Sequence, residues 1–452
     1  MTEKDQVQEW LQFCSAQIQD GRHNSSVSVQ DYNFDMVQQK YNAVYAGRNV
    51  KKDGPPIVWR PSPAVLQQSN LQRLMQSLHF HDYNTLHTWS IEHLASFWKI
   101  MVTMLNIAFV QHPKPAMLTL GQPKQPEWFA GGQLNIVNSI FQTVTTRDSE
   151  DVTDRVAVVW RDEVDSAQSS SSTSAAGELQ HMRLSELWCL TNRISNCLKE
   201  CGFVIGDAIA IDMPMTVECV AIYLAIVQAG MVVVSIADSF ATPEIEKRLH
   251  IAAAKAVFTV SDHVRGGKCI PMFHKVKQAT LIQKQRIIVI QGKHDVSHDL
   301  RDGIDMSWQT FLNTTTNAVF VPVTVAPSSI TNILFSSGTT GEPKALPWTQ
   351  LTPIKAAADG YLYQDIKRGD VVCWPTNIGW MMGPWLIYQL INQATIALYN
   401  GAPSGEDFGR FVEAAGVTIL GTIPTMVKNW KQTKCMETSD WSRIRVFSST
   451  GE

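Results

Sequence analysis

A nearly apolar run of 19 residues, "CVAIYLAIVQAGMVVVSIA" from Cys219 to Ala237, restricts the possible folds of this chain more than any other stretch. It is long enough to cross a membrane as a single helix. Gln228 and Gly230 interrupt it, however, and its two halves differ. The first half has apolar residues at helical spacing, and the second half is rich in β-branched residues. We therefore predict a buried helix that ends at Gly230, then a buried parallel strand, and no transmembrane segment.

The alternation of helix and strand continues on both sides of this run, from Asp207 onward. The predicted strands are "DAIAIDMP", "MVVVSIA", "AVFTVSD", "RIIVIQG" and "TNILF", and in a second series "DVVCWPT", "ATIALYN" and "VTILGTI". Helical patterns lie between them, and Pro243 suits the first turn of one helix. Such alternation predicts an α/β fold, in which helices cover both faces of a parallel sheet. Ligands of these folds bind at the carboxyl ends of the strands.

The first 135 residues follow a different pattern, which is mostly helical and irregular. "LHTWSIEHLASFWKIMVTML" has apolar residues at helical spacing, and we predict Ser90 as an N-cap within it. A proline-rich stretch over 112–132 then breaks the periodicity. We predict a helical N-terminal segment at 1–135 and the main domain at 136–452, with the serine-rich stretch Ser166–Gly177 as a surface loop.

The composition favours a soluble intracellular protein and excludes several other classes. Charged residues make up 17% of the chain and the formal net charge is −3, so no basic face for a nucleic acid is implied. The eight cysteines form no CxxC pair and no zinc-ligand pattern with histidine, which indicates reduced thiols in a core. No spacing points to a Ser/His/Asp nucleophile, and we predict no metal site within the chain.

One turn, "SSGTTGEPK" from Ser336 to Lys344, is dense in glycine and hydroxyl groups and follows the strand "TNILF". Glycine lets backbone amides converge on one anion, Ser and Thr add donors, and Lys344 adds a positive charge. These groups suit a phosphate, although a plain surface hairpin would use similar residues. The turn is not a Walker A motif. The residues predicted to bind phosphate are Ser336, Ser337, Gly338, Thr339, Thr340, Gly341 and Lys344.

Over these nine positions the turn resembles the phosphate loop of the AMP-forming acyl-CoA synthetases, also called acyl-activating enzymes. The segments "EWFAGGQLNIVNSIF", "VRGGKCIP", "TNIGWMMGPW" and "FSSTGE" resemble further parts of the family's acetyl-CoA-synthetase-like branch, in the expected order. The likeness runs from Leu86 to Glu452 and is strongest to the plant peroxisomal members. It implies the large N-terminal domain of the adenylate-forming fold, with layered sheets flanked by helices.

The resemblance implies a ligase that works in two halves. A carboxylate attacks the α-phosphate of ATP, with Mg²⁺ as partner, and gives acyl-AMP and pyrophosphate. The thiol of CoA then displaces AMP and forms a thioester. The phosphate loop would hold the β- and γ-phosphates, which makes Lys344 the catalytic cation of this part of the chain.

The segment "VRGGK" gains a role from the resemblance. Two cations, Arg265 and Lys268, flank Gly266 and Gly267. Without the resemblance this would be a solvated turn, whereas the family uses the segment for the phosphates of CoA. Ser404 stands where some relatives contact CoA, which is a weaker parallel.

The segment "NIGWMMGPW" would border the carboxylic acid. Composition alone predicts a buried strand and turn there. The resemblance instead implies that Trp380, Met381 and Met382 line the acid site, with the two methionines as an adaptable apolar wall. Relatives often have Asp where Asn377 stands, so the resemblance implies no electrostatic role for it.

The last residues correspond to the start of the family's adenine-binding strip. Gly451 and Glu452 would contact ATP or AMP there, and Thr450 would help to close the acid pocket. Gln350 stands where many relatives have His, so no His-based role is implied. In the family, residues for magnesium and ribose, a hinge and a small C-terminal domain with a lid lysine follow this point. We therefore expect a C-terminally truncated chain that lacks the small domain and does not complete thioester synthesis.

Three functions stay open on the sequence. The first is an acyl-CoA ligase that uses ATP, CoA and a small-molecule acid larger than acetate, either medium-chain or aryl-substituted. The second is an adenylating domain that loads a carrier protein, which the Arg265–Lys268 segment disfavours because a carrier brings its own pantetheine. The third is a truncated, non-catalytic nucleotide-binding product. The resemblance favours the peroxisome as location, with the cytoplasm as the alternative.

Overall fold

The computed structural model describes residues 8–9, 12–13, 34–46, 61–114, 118–119, 127–145, 154–163, 177–292, 295–336 and 341–450. The chain divides into two compact units, residues 1–81 and 82–452. In the first unit the helices are α1 Phe34–Val44, α2 Pro63–Gln68 and α3 Asn70–Ser77. The hydroxyl groups of Ser62 and Ser69 accept hydrogen bonds from backbone amides of the first turns of α2 and α3, and thereby begin these helices.

The second unit begins with the helices α4 Tyr83–Glu92 and α5 Leu94–Met104. The predicted N-cap Ser90 is wrong. The carboxylate of Asp82 accepts from the amide of Thr85 at 2.9 Å and begins α4, so Ser90 falls inside that helix. There its hydroxyl group donates to the carbonyl of His87 at 2.7 Å. Asp82, an equally good capping residue eight positions earlier, therefore begins the helix.

Two small antiparallel pairs follow, together with the helix α6 Val137–Thr145. The strands of these pairs are β1 Phe109–Gln111, β2 Leu118–Thr119, β3 Glu127–Trp128 and β4 Gln133–Leu134. β1 pairs with β4, and β2 pairs with β3. The predicted surface loop falls on residues 166–176, which lie outside the described residues.

A seven-stranded sheet carries the first series of predicted strands. Its members are β7 Ala208–Asp212, β8 Val232–Ser235, β9 Ala256–Val260, β12 Arg286–Ile290, β13 Met306–Ser307, β14 Ile330–Ser336 and β15 Lys344–Thr349. The order is β13-β12-β9-β7-β8-β14-β15. All neighbours are parallel except β14 and β15, which form an antiparallel edge.

A six-stranded sheet carries the second series. Its members are β5 Val156–Asp162, β6 Gln180–Arg183, β16 Val371–Cys373, β17 Thr395–Asn400, β18 Ile419–Thr422 and β19 Val446–Ser449. The order is β19-β18-β16-β17-β5-β6, and only the β5–β6 pair is antiparallel. A separate hairpin pairs β10 Asp262–Arg265 with β11 Lys268–Pro271. In the chain it lies between β9 and β12 of the seven-stranded sheet.

Helices cover both faces of the seven-stranded sheet. The remaining helices of the unit are α7 Leu184–Glu200, α8 Val217–Gln228, α9 Thr242–Ile251, α10 Phe273–Ala279, α11 Trp308–Leu312, α12 Thr352–Tyr363, α13 Met382–Ile387, α14 Gly405–Ala414 and α15 Pro424–Gln432. Val257 in β9 packs with Leu249 of α9 and Val276 of α10. Its neighbour Phe258 points to the opposite face, where its ring meets Phe311 of α11 at 5.4 Å. The predicted α/β fold with layered sheets and flanking helices is confirmed.

The apolar run Cys219–Ala237 is confirmed as a buried helix and a buried strand. The hydroxyl group of Thr216 accepts from the amide of Cys219 at 3.3 Å and begins α8. Gly230 has φ +71°, the left-handed conformation that glycine adopts after the end of a helix. Within the described part of the chain, no helix combines the length and the apolar character needed to span a membrane.

The two sheets meet through the loops that follow β8 and β16. The side-chain amide of Asn377 donates to the Asp238 carboxylate at 2.8 Å, and both residues are buried. Gly379 lies so close to the backbone of Ala237 that a Cβ atom added to it would come 2.2 Å from the Ala237 nitrogen. Any other residue at 379 would push the two loops apart. The carboxyl ends of the parallel strands of both sheets are thus held next to each other.

Asn377→Asp should weaken this junction, because it places a second carboxylate against Asp238 in a buried position where both charges are poorly solvated. We expect a loss of about 1–3 kcal/mol in the free energy of unfolding. The double exchange Asn377→Asp with Asp238→Asn returns one donor and one acceptor to the pair, and should recover part of that loss. Urea unfolding measures both effects.

Asn429→Asp is the matched control for this prediction, because Asn429 is exposed on α15 and the exchange adds the same charge. It should change the free energy of unfolding by less than about 0.5 kcal/mol. Equal unfolding free energies for Asn377→Asp and the wild-type chain would contradict the role of the junction. So would a double variant that is no more stable than the single one.

Candidate functional site

A small, open cleft lies where the carboxyl ends of the two sheets meet. Its walls come from the segments after β7, β8, β16 and β17 and from the hairpin β10–β11. The residues with polar or adaptable side chains among them are Met215, Asp238, His263, Arg265, Thr376, Tyr399 and Asn400. The cleft therefore lies where the fold predicts a ligand, at the carboxyl edge of the parallel strands.

The hairpin β10–β11 presents two cations on one side. Arg265 and Lys268 are register partners across it, so their side chains lie on the same face, and both are exposed. Gly266 and Gly267 form the two-residue turn between them, with φ +62° and φ +70°. Consecutive positive φ angles are typical of the tight turns that suit the twist of a hairpin, and they favour glycine. The two glycines therefore fix the spacing of the two cations.

The sequence alone suggested a solvated turn. In the structure, however, the amides of this turn do not face open solvent. Gly266 and Gly267 donate to the carboxylate of Glu163, at 2.8 Å and 2.6 Å. Sequence analysis missed Glu163, because nothing in the local pattern "WRDEVD" connects it with a turn about 100 residues later in the chain.

Asp238 joins the segment that the sequence assigns to CoA with the segment that it assigns to the acid. One oxygen of its carboxylate accepts from Asn377, and the other lies 3.6 Å from a guanidinium nitrogen of Arg265. Sequence analysis also missed Asp238. The signal was available, since an acidic residue that directly follows a buried parallel strand stands at the ligand-binding edge.

Burial changes the titration of two groups beside the cleft. It raises the pKa of Asp212 to about 7, although Lys275 at 3.9 Å acts in the opposite direction and Asp238 adds to the rise. Burial also lowers the pKa of His263, which makes its imidazole neutral at pH 7. Arg265 is the exposed charged residue that lines the cleft, and Lys268 lies on the same face of the hairpin, which favours an anionic ligand.

The phosphate turn lies between β14 and the edge strand β15. Ser336 ends β14 and Lys344 begins β15, and the two are register partners at the base of the turn. Gly341 has φ +86°, and Lys344 is exposed. The four residues Ser337, Gly338, Thr339 and Thr340 lie outside the described residues. The antiparallel pairing thus places the cation directly opposite the first hydroxyl group of the turn.

The segment assigned to the acid divides between two environments. Trp380 and Met381 are 50% and 57% exposed, whereas Met382 is buried at the start of α13. The two methionines thus do not form one continuous surface in this structure. The sequence predicted a strand and turn for this segment on composition alone, and the structure has a turn followed by a short helix.

A series of ring contacts leads from Trp380 to the phosphate turn. The ring of Trp380 packs edge-on against Phe240, with the centroids 6.1 Å apart. The buried guanidinium group of Arg248 lies 4.0 Å from the Phe240 centroid and 5.4 Å from that of Phe335. Phe335 directly precedes Ser336 in β14. The acid segment and the base of the phosphate turn are therefore connected by packed side chains.

Other predicted residues lie at the ends of elements. Thr450 follows β19, and its amide donates to the carbonyl of Thr422 at 3.3 Å. Gln350 is buried, and its side-chain oxygen accepts from the amide of Ile136 at 2.8 Å. Ser404 precedes the first residue of α14 without capping it through its side chain. Gly451 and Glu452 lie outside the described residues.

Among the described side chains, no three His, Cys, Asp or Glu groups come together as a metal site.

Two protein families match the chain. The family "AMP-binding enzyme" matches residues 146–452. The family "Acetyl-coenzyme A synthetase N-terminus" matches residues 83–139. Among solved structures, the acetoacetyl-CoA synthetase from Streptomyces lividans is similar with a TM-score of 0.76 and 25% identity, over 88% of this chain and 60% of that one.

Curated plant proteins are similar over almost the whole chain. "Probable acyl-activating enzyme 18, peroxisomal" from Arabidopsis thaliana is 38% identical over 92% of this chain and 57% of its own length. "Hexanoyl-CoA synthase" from Cannabis sativa is 40% identical over 93% of this chain and 58% of its own length. The chain thus spans somewhat more than half the length of these relatives. The matches show that it belongs to the family of AMP-binding enzymes, in the branch of the acyl-activating enzymes and acetyl-coenzyme A synthetases.

Proposed function

We propose that this protein joins a carboxylic acid to CoA at the expense of ATP. A carboxylate oxygen attacks the α-phosphorus of ATP, the bond to the bridging oxygen of the β-phosphate breaks, and pyrophosphate leaves. The CoA thiolate then attacks the acyl carbon, and AMP leaves as the thioester forms. The observation that carries the proposal is the turn rich in glycine and hydroxyl groups, Ser336–Lys344, next to the carboxyl end of β14 in a chain of this family.

The phosphate turn would bind the β- and γ-phosphates. Lys344 would neutralise their charge, and the hydroxyl and amide groups of Ser336–Gly341 would donate hydrogen bonds. Backbone pairing of Lys344 with Ser336 fixes the position from which the lysine side chain extends. ATP would enter as its magnesium complex, in which the metal supplies further charge neutralisation. Gly451 and Glu452 would contact the adenosine part.

The hairpin β10–β11 would bind the phosphates of CoA. Arg265 and Lys268 lie on the same face beside the cleft. The 3.6 Å separation between Arg265 and Asp238 is too long for a strong hydrogen bond, so Arg265 can turn towards a phosphate at little cost. Two exposed cations at a cleft beside the carboxyl ends of the strands support an anionic ligand.

An adenylating domain that loads a carrier protein is the second candidate. Its substrate would bring pantetheine without the adenosine phosphates of CoA, so Arg265 and Lys268 would have no phosphate to bind. Mass spectrometry after incubation with ATP, acid and free CoA separates the two. Acyl-CoA supports the ligase, and acyl-AMP that free CoA leaves unchanged but a carrier protein with bound pantetheine consumes supports the carrier-loading domain.

We also propose a boundary and a location for this activity. Residues 136–452 would form the adenylating domain, and residues 1–135 the N-terminal segment that precedes it. The peroxisome is the proposed location, which the names of two Arabidopsis relatives support. Co-sedimentation with a peroxisomal marker enzyme tests the location.

Lys344→Ala and Gly341→Val should each weaken the binding of Mg–ATP in isothermal titration calorimetry. The first removes a charge-assisted contact worth about 1.5–3 kcal/mol, which corresponds to roughly a 10- to 150-fold rise in Kd. The second places a β-branched residue at φ +86°, which strains the turn. Lys428→Ala is the control, because Lys428 is exposed on α15. Unchanged ATP affinity in both turn variants would end the assignment of this turn to ATP.

An acid larger than acetate should bind better than acetate itself. The exposed, adaptable Met381 beside Trp380, and the hexanoyl-CoA synthase relative, support a medium-chain acid. Hexanoyl- and acetyl-sulfamoyl adenosine, two stable mimics of acyl-AMP, can be compared by calorimetry. Each buried methylene contributes about 0.8 kcal/mol, so the hexanoyl mimic should bind at least about tenfold more tightly. A tighter complex with the acetyl mimic would refute the medium-chain proposal.

A further inference from the structure

One carboxylate, that of Glu163, accepts hydrogen bonds from three backbone amides. Gly266 donates to one oxygen at 2.8 Å, Gly267 donates to the other at 2.6 Å, and Ala402 donates at 2.7 Å to the oxygen that Gly266 contacts. Gly266 and Gly267 form the tip of the hairpin β10–β11, whereas Ala402 follows β17. A single side chain thus joins the hairpin tip to the six-stranded sheet.

The surroundings of Glu163 are built for this contact. Its own amide donates to the carbonyl of Asn400 at 2.9 Å, which extends the pairing of β5 with β17 by one residue and fixes its backbone. Gly401 leaves the space for its side chain, since a Cβ atom added there would lie 2.5 Å from the Glu163 Cβ atom. The side chain is therefore fixed at its base by the sheet and at its tip by the three amides.

The hydrogen-bond partners of the Glu163 carboxylate are backbone amides, and this affects which charges stay accessible on the hairpin. An isolated two-stranded hairpin is marginally stable in water, so the tip of β10–β11 needs a contact that holds it in place. A carboxylate paired with Arg265 or Lys268 would hold the hairpin but would also occupy the cations. Three backbone amides instead stabilise the negative charge of Glu163 by hydrogen bonds, and the Lys268 side chain stays exposed. The hairpin is thus positioned while its cations stay accessible to an anion.

We propose that Glu163 is a positioning residue, which fixes Arg265 and Lys268 at the edge of the cleft so that both reach the phosphates of CoA. The inference rests on the CoA site proposed above. Glu163 itself does not touch CoA, and it acts through the amides of Gly266 and Gly267. The competing idea is that these amides receive a phosphate oxygen and that Glu163 only fills their place until CoA arrives. The two ideas predict opposite changes in CoA affinity, because removal of Glu163 weakens CoA binding in the first and strengthens it in the second.

The test measures the affinity of Glu163→Ala for CoA by isothermal titration calorimetry. We expect Kd for CoA to rise about tenfold, as for the loss of one charge-assisted contact. Pantetheine, which lacks the phosphates, should bind the variant and the wild-type chain equally, and so should Mg–ATP. A general loss of structure would instead weaken all three ligands. Formate, the smallest carboxylate, should enter the vacated position and restore much of the affinity for CoA, whereas formamide should not.

Matched variants keep the result interpretable. Glu163→Gln keeps the size of the side chain but loses the charge, and should raise Kd for CoA by a smaller factor. Glu413→Ala removes the same charge from an exposed position on α14 and should leave CoA affinity unchanged. Arg265→Ala should reduce CoA affinity whether or not formate is added.

Each outcome decides one of the two proposals. A wild-type chain that does not bind CoA refutes the CoA site, and the role of Glu163 falls with it. CoA binding that Arg265→Ala abolishes but Glu163→Ala and Glu163→Gln leave unchanged refutes the role of Glu163 alone. Tighter CoA binding by Glu163→Ala refutes positioning in favour of the competing idea. Weaker binding of CoA, pantetheine and Mg–ATP together, without recovery in formate, also refutes it.

Discussion

The hydrogen bond between Asp238 and Asn377 is the contact on which the candidate site depends. It joins the loops that follow β8 and β16, at 2.8 Å and away from solvent, and Gly379 allows those loops to touch. Two sheets that could each have formed a separate ligand-binding edge therefore share a single cleft. Because parallel strands end together at one edge of a sheet, this one junction brings four strand ends into the walls of that cleft.

The acidic and basic groups around the cleft have different tasks. The carboxylates of Asp238 and Glu163 are satisfied mainly by amide groups, and they hold loops from both sheets together. The cations Lys268 and Lys344 stay exposed on a hairpin and on an edge strand. The Glu163 carboxylate offsets its desolvation by accepting three hydrogen bonds, whereas the Asp238 carboxylate accepts one from Asn377 and lies 3.6 Å from the Arg265 guanidinium group. Exposed cations, in contrast, keep their capacity for a phosphate ligand.

Periodicity predicted the central parallel strands of both sheets, but it missed β5, β6, β13, β15 and β19 and the assembly of the sheets. The apolar run at 219–237 and the strands around it were correct, since spacing and β-branching decide between helix and strand locally. The division into two sheets was beyond local reasoning, because β5 pairs with β17 across more than 230 residues. The capping role predicted for Ser90 was wrong for a local reason, because Asp82 caps the helix instead. The partners of the Gly266–Gly267 turn could not be predicted, because Glu163 is distant in sequence.

We propose that CoA binds at the cleft between the sheets and that ATP binds at the turn between β14 and β15. Hydrogen–deuterium exchange with each ligand alone tests both sites in one experiment. CoA should slow exchange in peptides covering 263–269 and 399–404, whereas Mg–ATP should slow it in a peptide covering 333–346. Protection of 333–346 by CoA, with none at the cleft, would refute both assignments.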